Sequence, residues 1–187
     1  MNAVFLVGFM GAGKSTVGRA LGERLNWVFE DLDDRIERSE RRKIAEIFRN
    51  SGESEFRRAE HEALRRVVEE LRRGATRIVA LGGGAFAQKK NAALIQNAGL
   101  TSLFLDAPVE ELWQRCCKQA TESGTERPLL RSLEDFRELH ATRRKHYLRA
   151  SQKISTGGQS IEAIADDIVK QLGLKELKIR REQGEVE

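Results

Sequence analysis

The most informative segment of this chain reads GFMGAGKS and spans residues 8–15. It matches the pattern G-x-x-x-x-G-K-[ST] in full, in which glycines let the backbone turn its N–H groups toward one centre. The apolar run 3–7 precedes it, and Val17, Leu21 and Leu25 follow it at helical spacing. A strand, a glycine loop and a helix N-terminus in this order form a cradle for phosphate groups. The segment therefore predicts a nucleotide-binding site.

The side chains of the loop have separate expected tasks. Lys14 reaches the β- and γ-phosphates, Ser15 holds Mg²⁺, and Thr16 adds a hydroxyl near the α-phosphate. Such a loop also serves GTPases and motor ATPases. The sequence contains no N-K-x-D motif, which GTPases use to read guanine, and the predicted strand ending at Leu81 runs into glycines instead of Asp-Glu. These features favour a kinase.

Composition limits the other classes of function. The chain has 187 residues, 40% apolar and 33% charged, which suits one soluble globular domain. The net charge of +4 is dispersed, which fits a small anionic ligand better than nucleic acid.

Cys116 and Cys117 are adjacent, so thiols in a reducing cytosol are expected. No run is long enough to span a membrane, and the apolar start lacks a positive signal-peptide region. We expect a cytoplasmic protein that binds neither nucleic acid nor membrane.

Short apolar runs alternate with helical patterns along the chain. The predicted strands are 3–7, 27–29, 77–81, 101–105 and 153–155. The predicted helices lie near 15–25, 33–50, 53–73, 88–98, 108–119, 132–150 and 160–172. This alternation predicts an α/β fold, a parallel sheet covered by helices. Residues 1–173 are expected to form one domain, and 174–187 a charged tail that is frayed or disordered.

Two acids follow the second predicted strand. Ligands sit at the carboxyl ends of strands in an open parallel sheet, and Asp31 and Asp33 lie there. On an extended segment, residues two apart point the same way. One carboxylate can orient hydrated Mg²⁺, and the other can take a proton from an acceptor hydroxyl. The alternative is an acidic N-cap for the helix beginning near Asp33.

Helical phase distinguishes two pairs of neighbouring arginines. Arg57 falls on a largely apolar stripe and Arg58 on a polar one, and Arg143 likewise differs from Arg144. An inward-facing arginine needs an anion. Glu60 can hold the Arg57 guanidinium while its fork receives a ligand carboxylate. The alternatives are a purely structural pair with Glu60 and, for Arg143, an arginine at the edge of the core.

Two further segments contain candidate residues. Gly82 and Gly83 belong to a glycine triplet that permits close approach of a ligand, unless it is only a flexible turn. A mobile lid is expected at about 118–130, where Arg127 could close over the phosphates. Arg115 lies at its entrance and could touch the nucleotide. Phe48 and Phe56 could line the acceptor pocket or pack in the core.

Taken together, these motifs resemble shikimate kinases over about residues 3–172. The resemblance is carried by GFMGAGKST at 8–16, D-L-D at 31–33, IAEIF at 44–48, GESEFRRAE at 52–60, GGG at 82–84, RPLL at 127–130 and R-x-x-x-Y at 143–147. It implies a monomeric P-loop kinase fold in three layers, with strand order 2-3-1-4-5. It also implies transfer of the γ-phosphate of ATP to the 3-hydroxyl of shikimate with Mg²⁺.

The resemblance assigns roles to individual residues. The acceptor would be bound by Asp33, Arg57, Gly82, Gly83 and Arg143. ATP would be bound by Gly11, Ala12, Gly13, Lys14, Ser15, Thr16, Arg115, Arg127 and Gln159. Catalysis would rest on Lys14, Asp33 and Arg127, and the metal on Ser15 and, through water, Asp31.

Some positions depart from the family pattern. Lys145 replaces a common proline, the charged run 40–43 replaces a glycine before IAEIF, and segment 118–126 is somewhat long. Two other functions compete with this one. A kinase for another hydroxy acid, such as gluconate, would keep the phosphate loop. A non-catalytic nucleotide-binding regulator would keep Lys14 but would not need Asp33.

Overall fold

The computed structural model describes residues 1–123 and 132–174. Within them, five strands form one sheet: β1 (Ala3–Val7), β2 (Val28–Asp31), β3 (Arg77–Ala80), β4 (Thr101–Asp106) and β5 (Gln152–Ser155). Their order is β2-β3-β1-β4-β5, and every neighbouring pair is parallel. The predicted α/β class and strand order are therefore confirmed.

Seven α-helices connect and cover these strands in the described part of the chain. They are α1 (Lys14–Leu25), α2 (Leu32–Glu40), α3 (Ile44–Arg72), α4 (Lys89–Asn97), α5 (Val109–Ser123), α6 (Leu133–Tyr147) and α7 (Ile161–Leu172). A short 3₁₀ turn, Ala85–Ala87, precedes α4. None of these helices has both the length and the apolar character needed to cross a lipid bilayer.

Strand β1 lies at the centre of the sheet. All five of its residues are at most 1% exposed, and their continuous apolar sequence is typical of a parallel strand covered on both faces. It pairs with β3 on one side and β4 on the other. The glycine loop that follows it therefore emerges at the carboxyl edge of the sheet, between the ends of two other strands.

The prediction of one helix over 33–50 was wrong. Arg41 adopts a left-handed conformation (φ 53°) and ends α2, and Lys43 is extended before α3 begins. No glycine or proline marks this break in the sequence. Conversely, Gly52 (φ 79°, ψ 175°) interrupts helical geometry for one residue within α3, because glycine tolerates positive φ at little cost.

Two predicted segments lie partly or wholly outside the described residues. Helix α5 continues to Ser123, so residues 118–123, expected in the lid, are helical. The rest of the predicted lid, with Arg127, falls in the range 124–131, and residues 175–187 of the predicted tail are likewise outside the description. The predicted lid motion and the predicted tail stay predictions.

Candidate active site

The phosphate loop is held between β4 and α5. Gly8 (φ 151°) and Gly11 (φ 77°) both have positive φ. A β-carbon on Gly8 would lie 2.8 Å from the Leu105 carbonyl oxygen, and one on Gly11 would lie 2.7 Å from the Leu112 carbonyl oxygen. Both space and backbone conformation therefore require glycine, which leaves the loop amides accessible to a ligand.

Lys14 lies at the centre of this loop. Its ammonium donates to the carbonyl oxygens of Gly8 at 3.0 Å and Phe9 at 2.9 Å. Burial lowers the pKa of Lys14 to about 8, and the nearby carboxylates of Asp33 and Asp31 oppose this shift. At neutral pH the half-buried side chain is thus mostly a cation within the glycine loop, an arrangement that attracts phosphate.

Asp31 joins the phosphate loop to the start of α2. The Ser15 hydroxyl donates to its Oδ2 at 2.8 Å, and the Asp33 amide donates to its Oδ1 at 3.1 Å. Asp31 is therefore the N-cap of α2. The alternative given above for these two acids, an acidic N-cap of the helix, thus applies to Asp31. Its link to Ser15 also places carboxylate and hydroxyl oxygens together, and these are the ligand types that Mg²⁺ prefers.

The residues present fit a cation that is held mainly by substrate. No cluster of three or more His, Cys, Asp or Glu side chains arranged for a metal occurs in residues 1–123 and 132–174. Mg²⁺ usually keeps several waters and binds through one or two protein oxygens together with substrate phosphates. Ser15 and Asp31 could supply that small number of contacts.

Asp33 reaches the same region from the first turn of α2. The expected extended segment was wrong, since Asp33 is the second residue of α2 and not part of a strand. Its carboxylate lies against Gly82. Burial raises the pKa of Asp33 to about 6, with a further contribution from Asp31 and an opposing one from Lys14. A carboxyl group that titrates near neutrality suits a general base.

The next two glycines each face one of the predicted arginines. A β-carbon on Gly83 would lie 3.4 Å from Arg143 Nη1, and one on Gly84 would lie 2.9 Å from both terminal nitrogens of Arg57. None of the three glycines has positive φ. The triplet is therefore needed for close approach, and it gathers three charged side chains from α2, α3 and α6.

The predicted orientation of the α3 arginines is confirmed. The Arg57 side chain is 19% exposed and that of Arg58 is 61% exposed. Arg57 Nη1 donates to both oxygens of buried Glu60, at 3.0 and 3.1 Å. Its Nε and Nη2 donate to Glu53 Oε1 at 3.1 and 3.0 Å. The Nε–Nη2 edge of the Arg57 guanidinium was expected to bind a ligand carboxylate. In this structure it binds the carboxylate of Glu53, an exposed side chain of the same helix.

The two α6 arginines point in different directions, as predicted, although both are half-buried. Arg143 lies 5.8 Å above the Phe9 ring, near the phosphate loop. Arg144 instead donates to Asp106 at 2.8 Å. Tyr147, one turn after Arg143, is fully buried and donates to the Gly83 carbonyl oxygen. It thereby ties the helix that carries Arg143 to the glycine triplet.

Arg115 extends the site toward the far edge of the sheet. Its Nη1 donates to the Gly11 carbonyl oxygen at 3.4 Å, and its Nη2 donates to the Thr156 carbonyl oxygen at 3.0 Å. Gln159 donates to the Ser155 carbonyl oxygen at 3.1 Å, on the same segment after β5. Arg115 therefore connects one end of the phosphate loop to the segment that carries Gln159.

A cavity of about 250 Å³ connects the phosphate and acceptor residues. It is lined by Met10, Gly11, Gly13, Lys14, Ser15, Thr16, Asp31, Asp33, Leu81, Gly82, Gly83 and Gln119. A larger cleft of about 710 Å³ borders α2 and also reaches Asp31. Three of its basic side chains, Arg38, Arg42 and Lys43, pair with acids of the protein, and Lys43 does so with Glu37 at 2.6 Å. The smaller cavity is therefore the better candidate for the site.

Several contributors were missed from the sequence. Gln119 lies four residues after Arg115 on α5, and that spacing could have indicated it. Glu53 lies four residues before Arg57 and could have been found in the same way.

Phe48 and Phe56 contact each other across the Gly52 break, with ring centroids 4.6 Å apart. Phe56 is 6% exposed and Phe48 39% exposed, so Phe56 belongs to the core.

Comparison with known proteins identifies the family. The family model for shikimate kinase matches residues 10–173. A shikimate kinase from Persephonella marina is 39% identical over 170 residues, which cover 90% of this chain and 98% of that protein. The crystal structure of shikimate kinase from Aquifex aeolicus is 32% identical with a TM-score of 0.78, and the match covers 91% of this chain and 96% of that one. The shikimate kinase from Acinetobacter baumannii in complex with shikimate is 32% identical with a TM-score of 0.76, over 92% and 93% of the two chains. The chain belongs to the shikimate kinase family.

Proposed function

We propose that this protein transfers the γ-phosphate of ATP to the 3-hydroxyl of shikimate, giving shikimate 3-phosphate and ADP. The observation that carries the proposal is the convergence of Asp33, Arg57 and Arg143 on the glycines at 82–84, beside the phosphate loop. A regulator that only binds nucleotide has no use for these three side chains. The family supports shikimate as the acceptor over gluconate.

Arg57 and Arg143 would bind the carboxylate of the acceptor. Both guanidinium groups lie against the glycine triplet, whose lack of side chains lets them approach the backbone. A planar guanidinium matches a carboxylate through two parallel hydrogen bonds. The acceptor carboxylate would replace the Glu53 carboxylate on Arg57, while Glu60 stays in place and holds the guanidinium.

Asp33 would orient the acceptor hydroxyl and take its proton. The hydroxyl O–H bond breaks, and its oxygen forms a bond to the γ-phosphorus. The bond from that phosphorus to the bridging oxygen breaks, and its electron pair leaves with ADP. With its pKa raised to about 6, Asp33 is still mostly ionised at neutral pH and is a stronger base than an ordinary aspartate.

The phosphate loop would position ATP and stabilise the transferred charge. The backbone amides of Gly11, Ala12 and Gly13 and the Lys14 ammonium would contact the phosphates, with Thr16 beside them. Arg115 and Gln159 would contact the nucleotide farther along. Arg127 would close over the phosphates from the lid. Ser15, and Asp31 through water, would hold Mg²⁺, which when bound neutralises phosphate charge.

We further propose that the protein acts as a cytoplasmic monomer without nucleic-acid or membrane partners. Both cysteines, Cys116 and Cys117, are present as thiols, which agrees with a reducing compartment. Residues 1–173 would form one catalytic domain with the lid at 118–130, and 174–187 a charged tail. Light scattering over a range of concentrations tests the monomer, since a mass above 21.1 kDa that grows with concentration would contradict it.

A coupled ADP-release assay with Mg²⁺ and ATP tests the function. Parallel reactions contain shikimate, quinate, gluconate or no acid. We expect saturable turnover with shikimate and only background in the reaction without acid. Turnover with gluconate instead would keep the phosphate site and reassign the Arg57–Arg143 pocket. No turnover with any acid, in protein shown to bind ATP, would favour the regulator.

A further inference from the structure

A buried polar network extends from Arg57 into the protein. The Glu60 side chain is 1% exposed and accepts two hydrogen bonds from Arg57. Burial raises the pKa of Glu60, and the charge of Arg57 opposes this effect. The ionised form of Glu60, which Arg57 needs as its anchor, therefore depends on the hydrogen-bond donors around the carboxylate.

Asn91 on α4 is a second donor to Glu60. It is fully buried, and its Nδ2 donates to Glu60 Oε2 at 3.4 Å and to the Ala85 carbonyl oxygen at 3.1 Å. Neither of these partners can donate a hydrogen bond when Glu60 is ionised. The amide nitrogen, and not the amide oxygen, must face them.

His61 fixes this orientation from the other side. Its Nδ1 lies 2.7 Å from Asn91 Oδ1, which can only accept a hydrogen bond. His61 therefore carries its proton on Nδ1 and holds the amide so that the nitrogen points at Glu60. A flipped amide would set its oxygen against the oxygens of Glu60 and Ala85, with no proton between them.

The network also joins the two parts of the acceptor pocket. Ala85 directly follows the glycine triplet, and Glu60 lies one turn after Arg57 on α3. We propose that Asn91 is a positioning residue for the acceptor carboxylate. It holds Glu60, and through it Arg57, at a fixed place relative to the triplet. This inference rests on the proposed role of Arg57 in acceptor binding.

The first test is Asn91→Leu, which keeps a similar volume and removes the amide. We expect the KM for shikimate to rise about fivefold to tenfold, since one hydrogen bond to a charged group is lost. The KM for ATP and kcat should stay within about twofold of the wild-type values. An unchanged KM for shikimate, or equal rises in both KM values, would overturn the proposal.

Gln96→Leu is the matched control. Gln96 is an exposed amide on the same helix, and it donates to the Arg149 carbonyl oxygen at 3.1 Å, outside the acceptor pocket. Its replacement should leave both KM values unchanged. A rise in the KM for shikimate in this control equal to that in Asn91→Leu would contradict a specific role for Asn91.

A second variant keeps the proposal testable if Asn91→Leu does not fold. His61 is only partly buried, so His61→Leu removes the hydrogen bond that orients the amide at a more tolerant position. We expect the KM for shikimate to rise about twofold to threefold, with the KM for ATP unchanged. No selective rise in this variant would count against the network.

A double-mutant cycle separates this proposal from the proposed function. In an Arg57→Ala background, Asn91→Leu should add little to the KM for shikimate, because its effect passes through Arg57. Additive effects would overturn the inference while leaving the kinase activity in place. If the wild-type protein turns over shikimate and Arg57→Ala does not change the KM for shikimate, Arg57 has no role in acceptor binding. The kinase activity itself would then still stand.

Discussion

The Asp33 carboxylate lies against the backbone of Gly82 so closely that a β-carbon on this glycine would be 2.6 Å from Asp33 Oδ1 and 3.3 Å from its Cγ. No side-chain atom fits in that space. Asp33 therefore reaches its position only because residue 82 has no side chain. The position of the Asp33 carboxylate, the proposed base, and the identity of residue 82 depend on each other.

Gly82→Ala should reduce kcat strongly. Its φ is not positive, so the backbone tolerates alanine, and the methyl group must push the Asp33 carboxylate away. A displaced general base costs about 10²-fold or more in rate. The KM for ATP should change little, because the phosphate loop lies outside the clash. Steady-state kinetics with varied ATP measure both effects, and a normal kcat would refute this positioning.

Gly84→Ala should act on acceptor binding instead of turnover. The new methyl group would lie 2.9 Å from both terminal nitrogens of Arg57, which Glu60 holds in place. We expect the KM for shikimate to rise about tenfold, with kcat reduced much less than in Gly82→Ala. Titration with shikimate in both variants makes the comparison. An equal kcat loss in the two variants would show that the triplet acts as one unit.

Asp33→Asn should abolish turnover and stabilise the protein at neutral pH. The folded pKa of Asp33, about 6, lies above its ordinary value of 3.8. Ionised Asp33 thus destabilises the fold, and the penalty grows as pH rises through this interval. The variant should melt about 2–6 °C above wild type at pH 7.5, and the difference should shrink at pH 4.5. A difference that grows at low pH would contradict the assigned shift.

The pH dependence of activity should have two limbs from different residues. The proposed mechanism requires ionised Asp33 and protonated Lys14, whose pKa values are about 6 and about 8. The value of kcat/KM for shikimate should fall below about pH 6, and that for ATP above about pH 8. Profiles measured with each substrate limiting in turn separate the limbs. A flat ATP profile up to pH 9 would exclude a depressed pKa for Lys14.

Arg41→Gly should stabilise the protein without affecting catalysis. Arg41 is exposed and adopts φ 53° at the end of α2, a conformation that glycine reaches without steric cost. We expect a gain of about 0.5–1 kcal/mol in the free energy of unfolding by denaturant titration. Arg42→Gly, at the next position, is the control and should not stabilise the protein.

The sheet and most of the site could be predicted because their signals are local. The continuous apolar run of β1 and the glycine loop after it need no knowledge of distant residues. Helical phase alone distinguished Arg57 from Arg58 and Arg143 from Arg144, because apolar spacing defines the buried face of a helix.

The remainder depends on contacts between distant segments. Asn91 reaches Glu60 over 31 residues of sequence, and nothing near Asn91 marks it as more than a helix residue. The break after α2 was missed because Arg41 takes a conformation that the sequence gives no reason to expect. The glycine triplet predicted close approach of a ligand. Which side chain lies against each glycine depends on how α2, α3 and α6 meet at the carboxyl edge of the sheet.

The central place of β1 has a consequence for how the chain acquires its activity during synthesis. Ala3 pairs with Arg77 and Val4 with Thr101, so β1 must wait for about 100 further residues before both neighbours are present. Gly8 then rests against Leu105. At about 5–20 residues per second, the ribosome needs several seconds to supply these partners. ATP therefore cannot serve as an early template for folding, and its binding reports a nascent chain that already extends past Leu105.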